Sequence, residues 1–141
     1  MQPNDVHSIV IVDDEKSFTE MIGNLLREHF AAPVHTFIRP VDALEKLHAL
    51  NPGIVVTDYY MPDMNGLDFI RAVYQISPDT HCIVITGHPF NLEEHSQEGL
   101  NKLKEVLPKP FRWQQLADTI RRHWAGPQPP ALRAGQDSFD R

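Results

Sequence analysis

Two groups of acids dominate the chemistry open to this sequence. Asp13-Asp14 follows the apolar run Ser8-Ile-Val-Ile-Val12, and Asp58 ends a second run, Ile54-Val-Val-Thr57. Short runs rich in β-branched residues read as strands covered on both faces. Each acid therefore stands at the carboxyl end of a strand, where open α/β sheets carry their chemistry. Taken singly, any one Asp could be the N-cap of the helix that follows. That reading does not cover all three, because one cap takes one residue and leaves a surplus acid at Asp13-Asp14. Asp58, in turn, is followed by Met61-Pro62 and the turn residues Asp63-Met64-Asn65-Gly66 before any helix can begin. If the two strands are neighbours, three carboxylates share one cleft, and at least one pKa rises unless a cation compensates. An all-oxygen donor set with room for water suits Mg²⁺, with Mn²⁺ as a substitute, and no matching Cys or His pair favours zinc.

The elements that must position these acids alternate along the chain. From Glu15 to about Phe30, the residues Phe18, Met21, Ile22, Leu25, Leu26 and Phe30 recur at intervals of three and four, the stripe of an amphipathic helix. Ala32 to Phe37 reads as a strand, and Pro40 opens a helix carrying Val41, Ala43, Leu44, Leu47 and Leu50. A third helical stripe runs from Leu67 to Ile76 and stops at Ser77-Pro78, and His81 to Thr86 is a fourth strand. Between Asn91 and Lys104 the chain is polar, with Gly99 in the middle costing a helix about 1 kcal/mol, so a fourth helix there is expected to be short, shifted or mobile. Glu105 to Pro108 is a last strand, and Trp113, Leu116, Ile120 and Trp124 mark a closing helix. Regular alternation with helix-length crossovers predicts an α/β fold: a doubly wound parallel sheet of five strands in the order 2-1-3-4-5. One domain is expected over residues 5–125. The segment 126–141, opening on Gly126-Pro-Gln-Pro-Pro130, reads as a disordered tail or the start of a linker.

Composition narrows the function classes. A chain of 141 residues with formal net charge -6 and pI near 5.7 lacks the basic stripe of a nucleic-acid binder. No basic-then-apolar leader opens it, and no apolar run nears the ~18 residues that span a bilayer, so a cytoplasmic protein without membrane contact is expected. The single cysteine, Cys82, sits inside an apolar strand and reads as a buried, inert thiol. The eight histidines are scattered without ligand spacing. Tyr59, Trp113 and Trp124 read as packing residues, with Tyr60 as the exception, at the mouth of the acid cleft.

In combination these motifs resemble the receiver domain of the two-component response regulators. The resemblance runs from Ile9 to about Trp124. It consists of Asp13-Asp14 after the first strand, Asp58 with Met61-Pro62 and Gly66 after the third, Thr86-Gly87 after the fourth, and Lys109-Pro110-Phe111 after the fifth. Any one of these is weak, since an Asp pair or a Lys-Pro dipeptide is common by chance; their joint order is specific. The resemblance implies the flavodoxin-like receiver fold. It also implies that Asp58 accepts a phosphoryl group from a sensor histidine kinase or a histidine phosphotransfer protein. Asp14, Asp58 and the main-chain carbonyl of Tyr60 would ligate Mg²⁺, with Asp13 acting partly through water. Lys109 would add fixed positive charge at the phosphoryl oxygens, and Thr86 would hydrogen-bond them once they arrive. Outside such a cluster, Lys109 would be a solvated strand-end residue and Thr86 an ordinary strand residue.

The expected function is a switch rather than an enzyme with turnover: phosphotransfer to itself, autodephosphorylation, and altered binding of an unidentified downstream protein or an output domain, with a possible dimer through a fourth-helix to fifth-helix face. A competing enzyme class is the aspartyl-phosphate phosphatase of haloacid-dehalogenase kind, but it needs a second acid two residues after the nucleophile, where this chain has Tyr60. A degenerate receiver serving as a scaffold is the other alternative, against which the five intact residues Asp13, Asp14, Asp58, Thr86 and Lys109 speak. The chain departs from the family at Val106, three residues before Lys109, where receivers commonly carry an aromatic ring that changes rotamer on phosphorylation. Valine has no ring to rotate, so the response is expected to fall on the polar segment before it.

Overall fold

A computed structural model describes residues 6–133. Five parallel strands form one sheet: β1 (Ser8–Val12), β2 (Val34–Phe37), β3 (Pro52–Asp58), β4 (His81–Thr86) and β5 (Leu103–Pro108), in the order β2-β1-β3-β4-β5. Helices fill the first three crossovers, α1 (Lys16–His29), α2 (Pro40–Leu50) and α3 (Gly66–Ile76), and a fourth, α4 (Trp113–Arg122), follows β5. The expected sheet and strand order are those found.

Alternation along each strand divides the core in two, as a sheet covered on both faces requires. Ile9 and Ile11 of β1, Ile54 and Val56 of β3, and Ile83 and Ile85 of β4 meet Ile22 and Leu26 of α1 and Leu116 and Ile120 of α4. Val10, Val12, Val55, Cys82 and Val84 point the other way, onto Ala43 and Leu47 of α2 and Phe69, Ile70 and Val73 of α3. With both faces dry, β1 is buried along its whole length. Pairing of β1 with β3, Val12 opposite Thr57, leaves Asp13 and Asp58 as the next residues at one edge.

Two expectations are corrected. Within 91–104 no α-helix forms: a single 3₁₀ turn covers Leu92–Glu94, capped by the Asn91 side chain accepting from Glu93 N–H at 3.0 Å, and β5 begins at Leu103. Gly99 takes φ +74°, a left-handed conformation that ends helix propagation. The expected fourth-helix to fifth-helix dimer face has no helix between β4 and β5 to supply its first part among the described residues. The segment from Gly126, expected to be a disordered tail or the start of a linker, is not disordered as far as residue 133 but docks on the domain. Leu132 bridges Phe30 in antiparallel fashion, Ala31 N–H donates to Ala131 C=O at 2.9 Å, and Arg133 N–H donates to His29 C=O at 2.9 Å. Leu132 packs against the core face built by α1 and α4, a contact the proline count does not reveal. The part of that expectation covering 134–141 lies outside the described residues. No helix among the described residues is long and apolar enough to cross a membrane.

Candidate functional site

Asp13 continues β1 into the turn before α1. Its backbone N–H donates to Phe37 C=O at 3.1 Å, and its Oδ1 accepts from Glu15 N–H at 2.9 Å. Thr19, one turn into α1, donates its hydroxyl to Asp13 C=O at 2.8 Å. Asp13 thus does part of the cap's work, yet its second oxygen is spent elsewhere. Asp14 is exposed beside it. Asp58 is fixed from β3 and from the loop behind it: its Oδ1 accepts from Tyr59 N–H at 2.9 Å, and Gly66 N–H donates to Tyr59 C=O at 2.7 Å. A Cβ on Gly66 would lie 2.5 Å from Asp58 O, so this close approach requires glycine. Asn65, among the turn residues after Asp58, caps α3, its side chain accepting from Asp68 N–H at 2.9 Å.

The three carboxylates converge. Asp13, Asp14 and Asp58 each place an oxygen within 4.8 Å of the others, which no other group of three or more His, Cys, Asp or Glu residues does among those described. Into this cluster β5 delivers Lys109, whose N–H donates to Thr86 C=O at 2.8 Å. Its Nζ lies 2.9 Å from Asp13 Oδ2 and 3.9 Å from Asp58 Oδ1. The Asp13 side chain is 1% exposed, Asp58 13% and Lys109 21%. One ammonium does not neutralise three acids. Burial first, then the Asp13 charge, push Asp58 up from 3.8 to about 6, with the smaller push of Asp14 in the same direction; the Lys109 charge and the Tyr59 N–H act against them. The donor set is all oxygen, partly buried and deficient in positive charge, which fits a hard divalent cation.

Thr86 stands at the same edge, but its hydroxyl is engaged locally. It donates to His88 C=O at 2.9 Å and accepts from His88 N–H at 3.2 Å. Tyr60 is 49% exposed and meets the His88 ring edge-on at 5.2 Å. Tyr59 is buried and stacks on Phe90 at 4.3 Å, so the acceptor loop touches the segment after β4 through rings. Burial holds the Cys82 thiol up at about 12, in accord with an inert residue. Two residues that the pattern does not single out bear on the site. Phe18 belongs to the apolar stripe of α1, yet Lys109 Nζ sits 4.3 Å from its ring centroid; its spacing of one helical turn from Asp14 is the available signal. Arg71 of α3 donates to Glu98 C=O at 2.9 Å and to Ser96 C=O at 2.6 Å, which nothing local in the sequence marks.

Residues 9–121 match the family described as the response regulator receiver domain. The chain is 33% identical over 116 residues to the chemotaxis protein CheY of Pseudomonas aeruginosa, an alignment covering 79% of this chain and 91% of that protein. It is 30% identical over 118 residues to the C4-dicarboxylate transport transcriptional regulatory protein DctD of Rhizobium meliloti, covering 82% of this chain but 25% of that one. The chain spans roughly a quarter to a third of the length of two of the transcriptional regulators it matches, DctD and YesN of Bacillus subtilis. Among solved structures, that of the beryllofluoride-activated NtrC4 receiver domain dimer superposes with a TM-score of 0.71 at 31% identity, covering 83% of this chain and 95% of that one.

Proposed function

This chain belongs to the response regulator receiver domain family, and from that premise we propose that Asp58 accepts a phosphoryl group from the phosphohistidine of a sensor kinase or phosphotransfer protein. The observation that carries the reading is the position of the Lys109 ammonium, 2.9 Å from Asp13 and 3.9 Å from Asp58, beside three convergent carboxylates. An oxygen of Asp58 forms the new bond to phosphorus, the P–N bond to the donor imidazole breaks, and the departing nitrogen takes a proton. Attack brings an anion towards an anion, so the Asp58 environment must tolerate added negative charge. Lys109 supplies part of that tolerance, and Asp14, Asp58 and the Tyr60 carbonyl, with Asp13 through water, would hold a Mg²⁺ ion whose charge supplies the rest. Thr86 exchanges its bond to His88 for one to a phosphoryl oxygen. That exchange frees the segment after β4 and changes the surface offered to a downstream protein or output domain.

Receiver domains are signalling modules rather than turnover enzymes, and Tyr60, where the dehalogenase-type phosphatases need an acid, supports the same reading here. Incubation with phosphoramidate or acetyl phosphate in Mg²⁺ should add one phosphoryl group by mass spectrometry, absent in Asp58→Asn and after EDTA. Equal labelling of Asp58→Asn overturns the assignment; steady hydrolysis of phosphate esters would favour the phosphatase, and no labelling at all the scaffold.

A further inference from the structure

We propose that Phe18 is a positioning residue for Lys109: the face of its ring holds the ammonium beside Asp58 whatever the charge state of the acid cluster. The inference rests on the phosphoacceptor reading above and adds to it how the cation is kept in place. Lys109 Nζ lies 4.3 Å from the Phe18 ring centroid, within the range where the negative face of an aromatic ring attracts a cation. The ring is itself braced, edge to face, by Phe111 at 6.2 Å and 85°.

The ion partner of Lys109 is shared, and that is why the ring matters. Asp13 Oδ2 sits 2.9 Å from the ammonium, but Asp13 is also one of the three oxygens that converge on the cation site. A carboxylate drawn into a divalent site holds a neighbouring lysine less firmly, because its charge is already compensated. The Phe18 ring is neutral and offers no oxygen, so a hard cation does not compete for it. It therefore keeps a flexible side chain near Asp58 at the stage when a phosphoryl group needs to be met. An aliphatic residue would fill the same place in the α1 stripe, whose neighbours Ile22 and Leu26 are core residues. What it would lack is the attraction of the ring face.

Proton NMR of the full chain reads this contact directly, since ring current moves the Lys109 ε-methylene signals upfield. We expect that displacement in the wild type without metal and with Mg²⁺, retained in Phe18→Tyr and lost in Phe18→Leu and Phe18→Met. At saturating Mg²⁺, the rate of labelling by phosphoramidate should fall about three- to tenfold in Phe18→Leu and Phe18→Met, and stay near wild type in Phe18→Tyr. The proposal is overturned if the displacement disappears on adding Mg²⁺ to the wild type. It is also overturned if folded Phe18→Leu or Phe18→Met labels at the wild-type rate, or if folded Phe18→Tyr loses as much rate as they do. Failure of the wild type to label at all would instead overturn the phosphoacceptor reading, and the methylene signals would still decide whether the ring holds Lys109.

Discussion

The acid cleft is bordered by two regions held in different ways. In the first, Asp13 and Lys109 are fixed at the ends of β1 and β5 by strand backbone, and α1 and α4 cover that face of the sheet with Ile22, Leu26, Leu116 and Ile120, all buried. Between β4 and β5, the chain from 88 to 102 contains one 3₁₀ turn, is anchored in the core by Leu100 and by the backbone bond from Cys82 N–H to Lys102 C=O at 2.9 Å, and is otherwise tied largely by side chains. Arg71 reaches the carbonyls of Ser96 and Glu98, Asn101 reaches the Tyr74 hydroxyl at 3.4 Å, and Phe90 stacks on Tyr59. Packing over apolar area is cooperative, whereas a few half-exposed hydrogen bonds open at low cost. The difference assigns the two regions separate tasks. Under the proposed phosphotransfer, the first would hold the reactive groups in place, and the second would rearrange as Thr86 leaves His88.

The largest effect should come from breaking the acceptor loop at Gly66, which backbone contacts hold as firmly as the fixed region. Its Cβ would meet backbone rather than a movable side chain, at 2.5 Å from Asp58 O and 3.0 Å from Tyr59 Cα. Gly66→Ala should destabilise the fold by about 2–4 kcal/mol and slow labelling of Asp58, as measured by thermal melts and phosphoramidate kinetics. A wild-type melting temperature would mean that the acceptor loop is as adaptable as the segment beyond β4.

Asp58 itself should give the next largest effect. Its folded pKa is raised from 3.8 to about 6, so the fold favours the protonated acid. The associated stability is fully present below the unfolded value and is lost as pH rises through the folded one. Without metal, the wild type should therefore lose stability relative to Asp58→Asn across that window, by on the order of 1–3 kcal/mol at neutral pH. Parallel pH dependences for the two proteins would contradict the charge deficit that the acid cluster implies. Mg²⁺ at neutral pH should narrow the gap by stabilising the ionised wild type.

Much of the fixed side was legible in the sequence, and the other side was not. Apolar strand runs ending at Asp13 and Asp58 predict both the sheet and the convergence, because the period of two and the doubly wound order leave little choice of where a strand's last residue goes. The polar composition of 91–104 marks a segment unsuited to a firm helix, but neither that no α-helix forms there nor what replaces it, since Arg71 is 27 residues from Glu98 and no periodicity links them. The docking of Leu132 on Phe30 has the same origin: one apolar residue in a Pro-rich stretch carries no pattern. Phe18 shows a further limit, in that one stripe position serves the core and touches Lys109 at the same time.

Arg71 allows a direct test of the loosely held region. Arg71→Ala should remove the two carbonyl contacts and the ion pair to Asp68 at 2.8 Å, costing about 1–2 kcal/mol. Hydrogen exchange should rise between 92 and 101, with little change in α1. Arg71→Lys should rescue poorly, because one ammonium cannot reproduce the planar fork. In the wild type, beryllofluoride, a mimic of the phosphoryl group, should alter protection most between His88 and Val106. A response confined to α1 would show that the output surface lies on the packed side.

The smallest expected effect on the switch concerns 127–133, which docks on the packed side and so should be separable from it. Its contacts are the Phe30–Leu132 bridge, the backbone bonds at Ala31 and Arg133, and Arg133 Nε donating to Arg27 C=O at 2.9 Å. Arg133 and its bond to Arg27 are exposed, and Leu132 is only partly buried. Solvent-facing hydrogen bonds of this kind are worth little net. Deleting residues from Pro127 onward should therefore lower stability by about 1–2 kcal/mol, equivalent to a few degrees in the melting temperature. Leu132→Ala should produce part of that loss, since Leu132 supplies the apolar contact. Exchange should rise near Phe30 and Ala31 while labelling of Asp58 and protection between 88 and 102 stay as they were. An altered labelling rate in the truncated chain would mean that the docked segment and the acid cleft communicate through α1, and the division between a fixed and a responsive side would then have to be redrawn.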